Sequence, residues 1–172
     1  MKERKIVLAG EQVALVEMTE EDQPFFQKWH AENEELRKLI GDHSVPTMED
    51  QQRWFERSRQ PDRRMFSLVT LGGELIGHGG LVDIDDEKHT AQLRITIGDS
   101  SYWGRGLGTE TARLLTEYGF AKRQLASIWL RVLPGNERAL RSYEKAGFLR
   151  GEREIFRDTE VVRMQVFRED FR

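Results

Sequence analysis

Two stretches of the sequence bring together residue types that could do chemistry. In the first, Trp103-Gly104-Arg105-Gly106-Leu107-Gly108 alternates glycine with larger residues and runs into Thr109-Glu110-Thr111-Ala112, which reads as a helix opening. A helix N-terminus presents unpaired backbone N–H groups and a partial positive charge. Glycines let an anion approach those groups with no Cβ in the way, so the unit suits phosphate binding. A tight turn would use the same glycines. In the second stretch, Asn136 opens the run Glu137-Arg138-Ala139-Leu140-Arg141-Ser142-Tyr143-Glu144-Lys145-Ala146-Gly147-Phe148. The Asn136 side chain suits a helix N-cap, and Tyr143, about two turns later, falls on the same face. A capped helix with a tyrosine on its packing stripe has this spacing too.

Two other phosphate loops are excluded. No Gly-Lys-Ser or Gly-Lys-Thr follows the glycines, and Thr109, Glu110 and Thr111 stand where a dinucleotide fingerprint needs a further glycine. His30, His43, His78 and His89 show no paired ligand spacing, so no metal site is expected. Trp29, Trp54 and Trp129 fall on apolar stripes and read as core. Asp83 to Glu87 reads as a solvated turn, and Arg63-Arg64 as solvated.

The elements that must position these residues follow from periodicity. Val13 to Val16 reads as a first strand. Thr19 with Asp22 opens a helix carrying Phe25, Phe26 and Trp29 on one apolar stripe, and Thr47 with Asp50 opens a second that turns Trp54 and Phe55 inward. Gly41 to Pro46 reads as the loop between them. Phe66–Leu71, Gly72-Gly73 and Glu74–Gly77 form a hairpin, and Leu93 to Ile97 alternates as a further strand. The glycine loop then leads to a helix of about 15 residues ending near Lys122, followed by a strand at Ser127–Val132 and the Asn136 helix. Strands at about Leu149–Phe156 and Val161–Phe167 close the chain around Arg157-Asp158. This order predicts an α+β fold: a single mixed, mostly antiparallel sheet of about seven strands flanked by about four helices.

Composition narrows the function classes. The chain has 172 residues, no cysteine, and 30 Asp+Glu against 27 Lys+Arg, a net charge of −3. Disulfide frameworks, thiolate metal sites and cysteine nucleophiles are excluded. The charge balance argues against a nucleic-acid coat, and no apolar run approaches the roughly 18 residues of a membrane span. One domain, residues 1–172 with a core at about 10–167, in the cytoplasm is expected.

The two motifs, in this order, resemble those of the GNAT superfamily of acyl-CoA N-acyltransferases, near the branch that acetylates ribosomal-protein N-termini. Gly104-Arg105-Gly106-Leu107-Gly108 matches the family's pyrophosphate loop except at Trp103, where Arg or Gln is usual, and Asn136 to Phe148 resembles its second acyl-CoA motif. The resemblance implies acetyl-CoA as acetyl donor and no metal. The cofactor would lie in a V between the strand at Leu93–Ile97 and the strand at Ser127–Val132. Ile95, Thr96 and Ile97 would pair with its pantetheine arm. Trp103, Gly104, Arg105, Gly106, Leu107, Gly108 and Thr109 would hold the pyrophosphate, and Asn136 the arm. A backbone N–H at Ile97 would serve as oxyanion donor, and Tyr143 would contact the cofactor and protonate the leaving thiolate as general acid. With no cysteine, direct attack by an amine is the expected route.

The partner is then a primary amine: a protein N-terminus or a small molecule, with a polyamine or aminoglycoside acceptor, or a non-catalytic acyl-CoA-binding regulatory domain, as alternatives. A homodimer is an option for the assembly; nucleic acid and membrane are not expected partners. An ε-amine is only ~0.1% neutral near pH 7.4, whereas an α-amine is roughly a quarter neutral, so the former needs far more help. Some relatives that acetylate lysine place a Glu base early on the fourth strand, where Gln92 stands here, which mildly favours an α-amine or aminosugar; His78, Asp83 and Glu34 remain alternative bases. The acidic run Asp83 to Glu87 could attract a cationic acceptor.

Overall fold

The computed structural model describes residues 3–172; the opening Met1-Lys2 of the expected domain lies outside them. The strands are β1 Ile6–Ala9, β2 Val13–Glu17, β3 Arg64–Thr70, β4 Leu75–Asp85, β5 Thr90–Ile97, β6 Ser127–Val132, β7 Leu149–Phe156 and β8 Thr159–Phe167. The helices are α1 Gln23–Glu32, α2 Glu34–Ile40, α3 Met48–Ser58, α4 Leu107–Lys122 and α5 Glu137–Lys145. One sheet runs β1-β2-β3-β4-β5-β6-β8-β7, antiparallel throughout except where β5 meets β6. The expected α+β architecture is present, with one strand and one helix more than periodicity suggested.

Both additions have local causes. β1 is a short edge strand whose partner is β2, and the carboxylate of Glu110 on α4 fixes the turn between them. It accepts the backbone N–H groups of Glu11 and Val13, each at 2.7 Å, and of Gln12 at 3.0 Å. Helix α2 is bounded by its caps. The Asn33 side chain accepts the Leu36 N–H at 3.0 Å, and Gly41 ends the helix in a left-handed conformation, φ 75°.

Cross-strand pairing sorts side chains between two faces. Leu81 opposite Leu93 packs toward α4, where Leu115, Ile128, Leu130 and Met164 join one continuous core. Ser67, His78 and Thr96 form a row on the opposite face. There the Ser67 hydroxyl donates to the buried Asp22 carboxylate at 2.6 Å, and Arg4 pairs with the same carboxylate. Phe26 and Trp54 pack on His78 with ring centroids 4.9 and 4.6 Å away. Phe25, expected on the same stripe as Phe26, is 54% exposed because the stripe of α1 is narrower than its aromatic content. No helix among the described residues is long and apolar enough to cross a membrane.

Candidate functional site

The parallel seam between β5 and β6 is short. Thr90 pairs with Ser127, Ala91 with Ile128 and Gln92 with Trp129; beyond Gln92 the strands diverge and a gap opens. One edge of β5 from Leu93 to Ile97 therefore lacks a strand partner. Gly98 N–H donates to Ile76 O on β4 at 2.9 Å, so strand alternation turns the Ile97 N–H the other way, into the gap. On that same edge the Trp103 indole N–H donates to the Ile97 carbonyl at 2.7 Å.

The glycine loop closes one end of this gap. Gly104 and Gly106 hold positive φ, 76° and 78°, which the loop's path requires of them. A Cβ at Gly104, Gly106 or Gly108 would meet nothing within 4 Å, so the backbone faces open space. Gly106 is the N-cap of α4 and supplies no side-chain acceptor, which leaves the first-turn N–H groups available to an anion. A cavity of about 150 Å³ lies against the loop. Ile95, Thr96 and Ile97 line it from β5, and Trp103, Gly104, Gly106, Leu107 and Gly108 from the loop. Arg105 and Thr109 do not line it. The Arg105 guanidinium sits 5.1 Å over the Tyr102 ring, and Thr109 occupies the first turn of α4.

Helix α5 brings Asn136 and Tyr143 to the same cavity. Asn136 caps the helix, its side-chain oxygen accepting the Ala139 N–H at 3.2 Å, and its amide NH₂ is left for another partner. Burial pushes the Tyr143 phenol up to about 12, so it keeps its proton through the neutral range. Arg138, also on the lining, places its guanidinium 4.6 Å over the Trp103 ring.

A second cavity of about 760 Å³ adjoins the first, with Thr96, Asn136 and Tyr143 on both linings. It lies on the α1–α3 face. Trp29 and Trp54 line it, so these two belong to a cavity wall, not to the core. Trp129 is not core either: the Arg131 and Arg163 guanidinium groups stack on it at 4.7 and 4.1 Å. Three buried polar atoms on the wall have no hydrogen-bond partner among the described residues: His30 Nε2, His78 Nδ1 and Gln92 Oε1. Burial, with His30 nearby, pulls the His78 imidazole down to about 3, so it is neutral but weakly basic. Asp83 and Glu34 line neither cavity, and Glu34 faces Lys38 at 3.5 Å. The rest of the acidic run is also outside, with Asp86 3.6 Å from Arg123. The pair Arg63-Arg64 is not simply solvated. Arg64 bonds Glu17 at 2.7 Å, and Arg63 lines the larger cavity.

Some lining residues escape sequence reasoning. Leu36, Leu39 and Ile40 line both cavities from α2, a helix whose only sequence signals are Asn33 and Gly41. Among the described residues no three His, Cys, Asp or Glu side chains converge to hold a metal ion.

Residues 12–149 match the family model described as acetyltransferase (GNAT) domain. An N-acetyltransferase 9-like protein of Nematostella vectensis is 25% identical over 170 residues, covering 90% of this chain and 83% of the relative. The solved aminoglycoside acetyltransferase AAC(6')-Ib in complex with coenzyme A superposes with a TM-score of 0.81 at 27% identity, covering 92% of this chain and 96% of that one. Spermidine N-acetyltransferase from Vibrio cholerae, in complex with CoA and spermine, superposes with a TM-score of 0.83 at 21% identity, covering 94% of this chain and 98% of that one, a likeness of fold.

Proposed function

The chain belongs to the acetyltransferase (GNAT) family and is an acetyl-CoA-dependent N-acetyltransferase, and from that premise we propose that it acetylates a primary amine of a small molecule. The observation that carries this reading is the pair of adjoining cavities, one against the glycine loop and one on the α1–α3 face, which share Thr96, Asn136 and Tyr143 on their walls. The donor end fits coenzyme A, because open N–H groups at the start of α4 match a pyrophosphate and the free β5 edge matches an amide-bearing arm. The aminoglycoside and spermidine enzymes among its relatives support a small-molecule acceptor over a protein N-terminus. They likewise support the GNAT family at large over its ribosomal-protein branch.

Acetyl-CoA supplies the acetyl group as a thioester. Backbone N–H groups from Gly104 to Thr109 hold the pyrophosphate, and the Arg138 guanidinium adds a cation beside it. The β5 edge at Ile95–Ile97 and the Asn136 amide hold the pantetheine arm. The neutral amine nitrogen forms a C–N bond to the acetyl carbon as the C–S bond breaks, and the nitrogen passes one proton to water, which restores the Tyr143 phenol after that residue has protonated the sulfur. The Ile97 N–H donates to the carbonyl oxygen as that oxygen gathers negative charge. Tyr143 gives its proton to the departing sulfur, leaving an amide and a free thiol. Gln92 cannot take the amine's proton, and the depressed imidazole of His78 is a poor base. Thiol release from acetyl-CoA across polyamines, aminoglycosides and N-terminal peptides tests the reading. Turnover restricted to peptides would overturn the small-molecule assignment. The absence of acetyl-CoA binding would overturn the donor site.

A further inference from the structure

The wall of the larger cavity has a one-sided charge. Arg57, Arg63, Arg94, Arg131 and Arg157 line it, against the single carboxylate of Asp42, which is itself occupied by the Ser44 hydroxyl at 2.6 Å. Of the five, Arg131 is satisfied by Glu154 at 2.8 Å. Arg57, Arg63, Arg94 and Arg157 have no carboxylate within 4 Å among the described residues. They come from α3, the segment before β3, the middle of β5 and the β7–β8 turn, elements far apart in sequence that the fold brings to one cavity. Arg94 is central to the group. It lies opposite Gly80, which has no side chain to cover it, and it is surrounded by protein yet open to solvent. Burial pulls its guanidinium down, Arg63, Arg57 and Arg157 repel it further, and Asp83 offsets this only in part.

These four guanidinium groups line one cavity with no ion-pair partner among the described residues, Arg63 half-buried and Arg57, Arg94 and Arg157 exposed; they repel one another, and an anion placed among them would relieve that repulsion. A polycation would add to it. We propose, resting on the acetyltransferase reading, that the acceptor is a primary amine carrying a carboxylate or phosphate group, with that anion held by Arg57, Arg63, Arg94 and Arg157. The amine would then lie toward Ile97, Thr96 and Tyr143. Arg94 and Ile97 are three residue steps apart along the strand, so the acceptor's amine and anion stand roughly 7–10 Å apart. The cluster has a second effect. Its positive field disfavours the ammonium form, lowers the acceptor amine's pKa and raises the neutral fraction that can attack. A field does here what Gln92 cannot do as a base. The larger cavity therefore departs from the polycationic acceptors named for the spermidine and aminoglycoside relatives.

The test uses the full chain saturated with CoA and two matched pairs of amines: 6-aminohexanoate with hexylamine, and glucosamine 6-phosphate with glucosamine. Calorimetry should show the member of at least one pair that carries the anionic group binding about tenfold or more tightly than the amine lacking it. Arg94→Gln and Arg63→Gln should each remove most of that preference while leaving CoA affinity within about twofold of wild type, since neither residue touches the donor cavity. The pair that shows the larger preference identifies carboxylate or phosphate as the source of the anion. Equal binding within both pairs, or tighter binding of spermidine than of either anionic amine, overturns the proposal. Selective anion binding without thiol release from acetyl-CoA on any amine would support the anion site and count against the transferase reading, so the two fail separately.

Discussion

The Trp103 indole N–H donates to the Ile97 carbonyl oxygen at 2.7 Å, which joins the start of the glycine loop to the last residue of β5. The same Ile97 turns its N–H into the gap where the acetyl carbonyl would lie. Position of the loop and aim of the proposed oxyanion donor are thus coupled through one side chain. The departure from the family's usual Arg or Gln at this position becomes a structural substitution.

Trp103→Phe keeps an aromatic ring under Arg138 but removes the indole donor. One hydrogen bond of this kind is worth about 1 kcal/mol. Acetyl-CoA affinity by calorimetry should therefore weaken about fivefold, and kcat should fall as well because Ile97 loses its tether. Unchanged values of both would show that the indole bond does not position the site.

Tyr143→Phe removes a proton donor and little else, since the ring still packs against Phe148 with centroids 6.0 Å apart. Loss of a general acid typically lowers turnover by 10²–10⁴, so kcat should drop by roughly that range while the acetyl-CoA Kd stays near wild type. A phenol pushed up to about 12 remains protonated in ordinary buffers. The wild-type pH–rate profile should accordingly show no falling limb attributable to Tyr143 below about pH 11.

Gly106→Ala meets no steric obstacle, because nothing lies within 4 Å of the added Cβ. Its effect comes from φ 78°, which L-residues adopt at a cost of about 1–2 kcal/mol. Thermal denaturation should register that loss. Acetyl-CoA affinity should fall by about tenfold if the backbone shifts to relieve it, a change calorimetry reads directly.

His78 links stability to pH. Its folded value of about 3 lies below the ordinary 6.5, so the unfolded chain binds the proton first and stability declines as pH drops below about 6.5 toward 3. His30, also pulled down by burial, acts in the same direction. Between about pH 6.5 and 5.5 the shifted carboxylates, whose ordinary values are 4.5 and 3.8, contribute little, so the slope of Tm against pH in that window isolates the histidines. The His78→Gln variant should show a flatter slope there. An identical slope would show that His78 is already protonated in the fold.

Much of the fold was legible because its elements carry their own periods and punctuation. The alternation of Leu93 to Ile97, the Gly72-Gly73 turn and the limits of Ser127–Val132 all match the structure. Helix α2 was not legible, since its seven residues offer no clear apolar period and only its caps mark it. At the site, Gly104 to Gly108 and the pairing of Asn136 with Tyr143 could be read because each lies within one local segment. Trp29 and Trp54 read as core because an apolar stripe has the same spacing whether it faces a packed interior or an open cavity. The arginine cluster left no sequence signature, because Arg57, Arg63, Arg94 and Arg157 meet only once the sheet and its flanking helices are assembled.

The three-pair seam between β5 and β6 also has a mechanical meaning. It divides the sheet into a five-stranded blade, β1 to β5, and a three-stranded blade, β6-β8-β7, joined along one short margin. A molecule bridging the gap would supply the missing rungs of that ladder and act as mortar between the blades. Stiffness across the sheet would then belong to the loaded protein, with each catalytic cycle setting and releasing the joint.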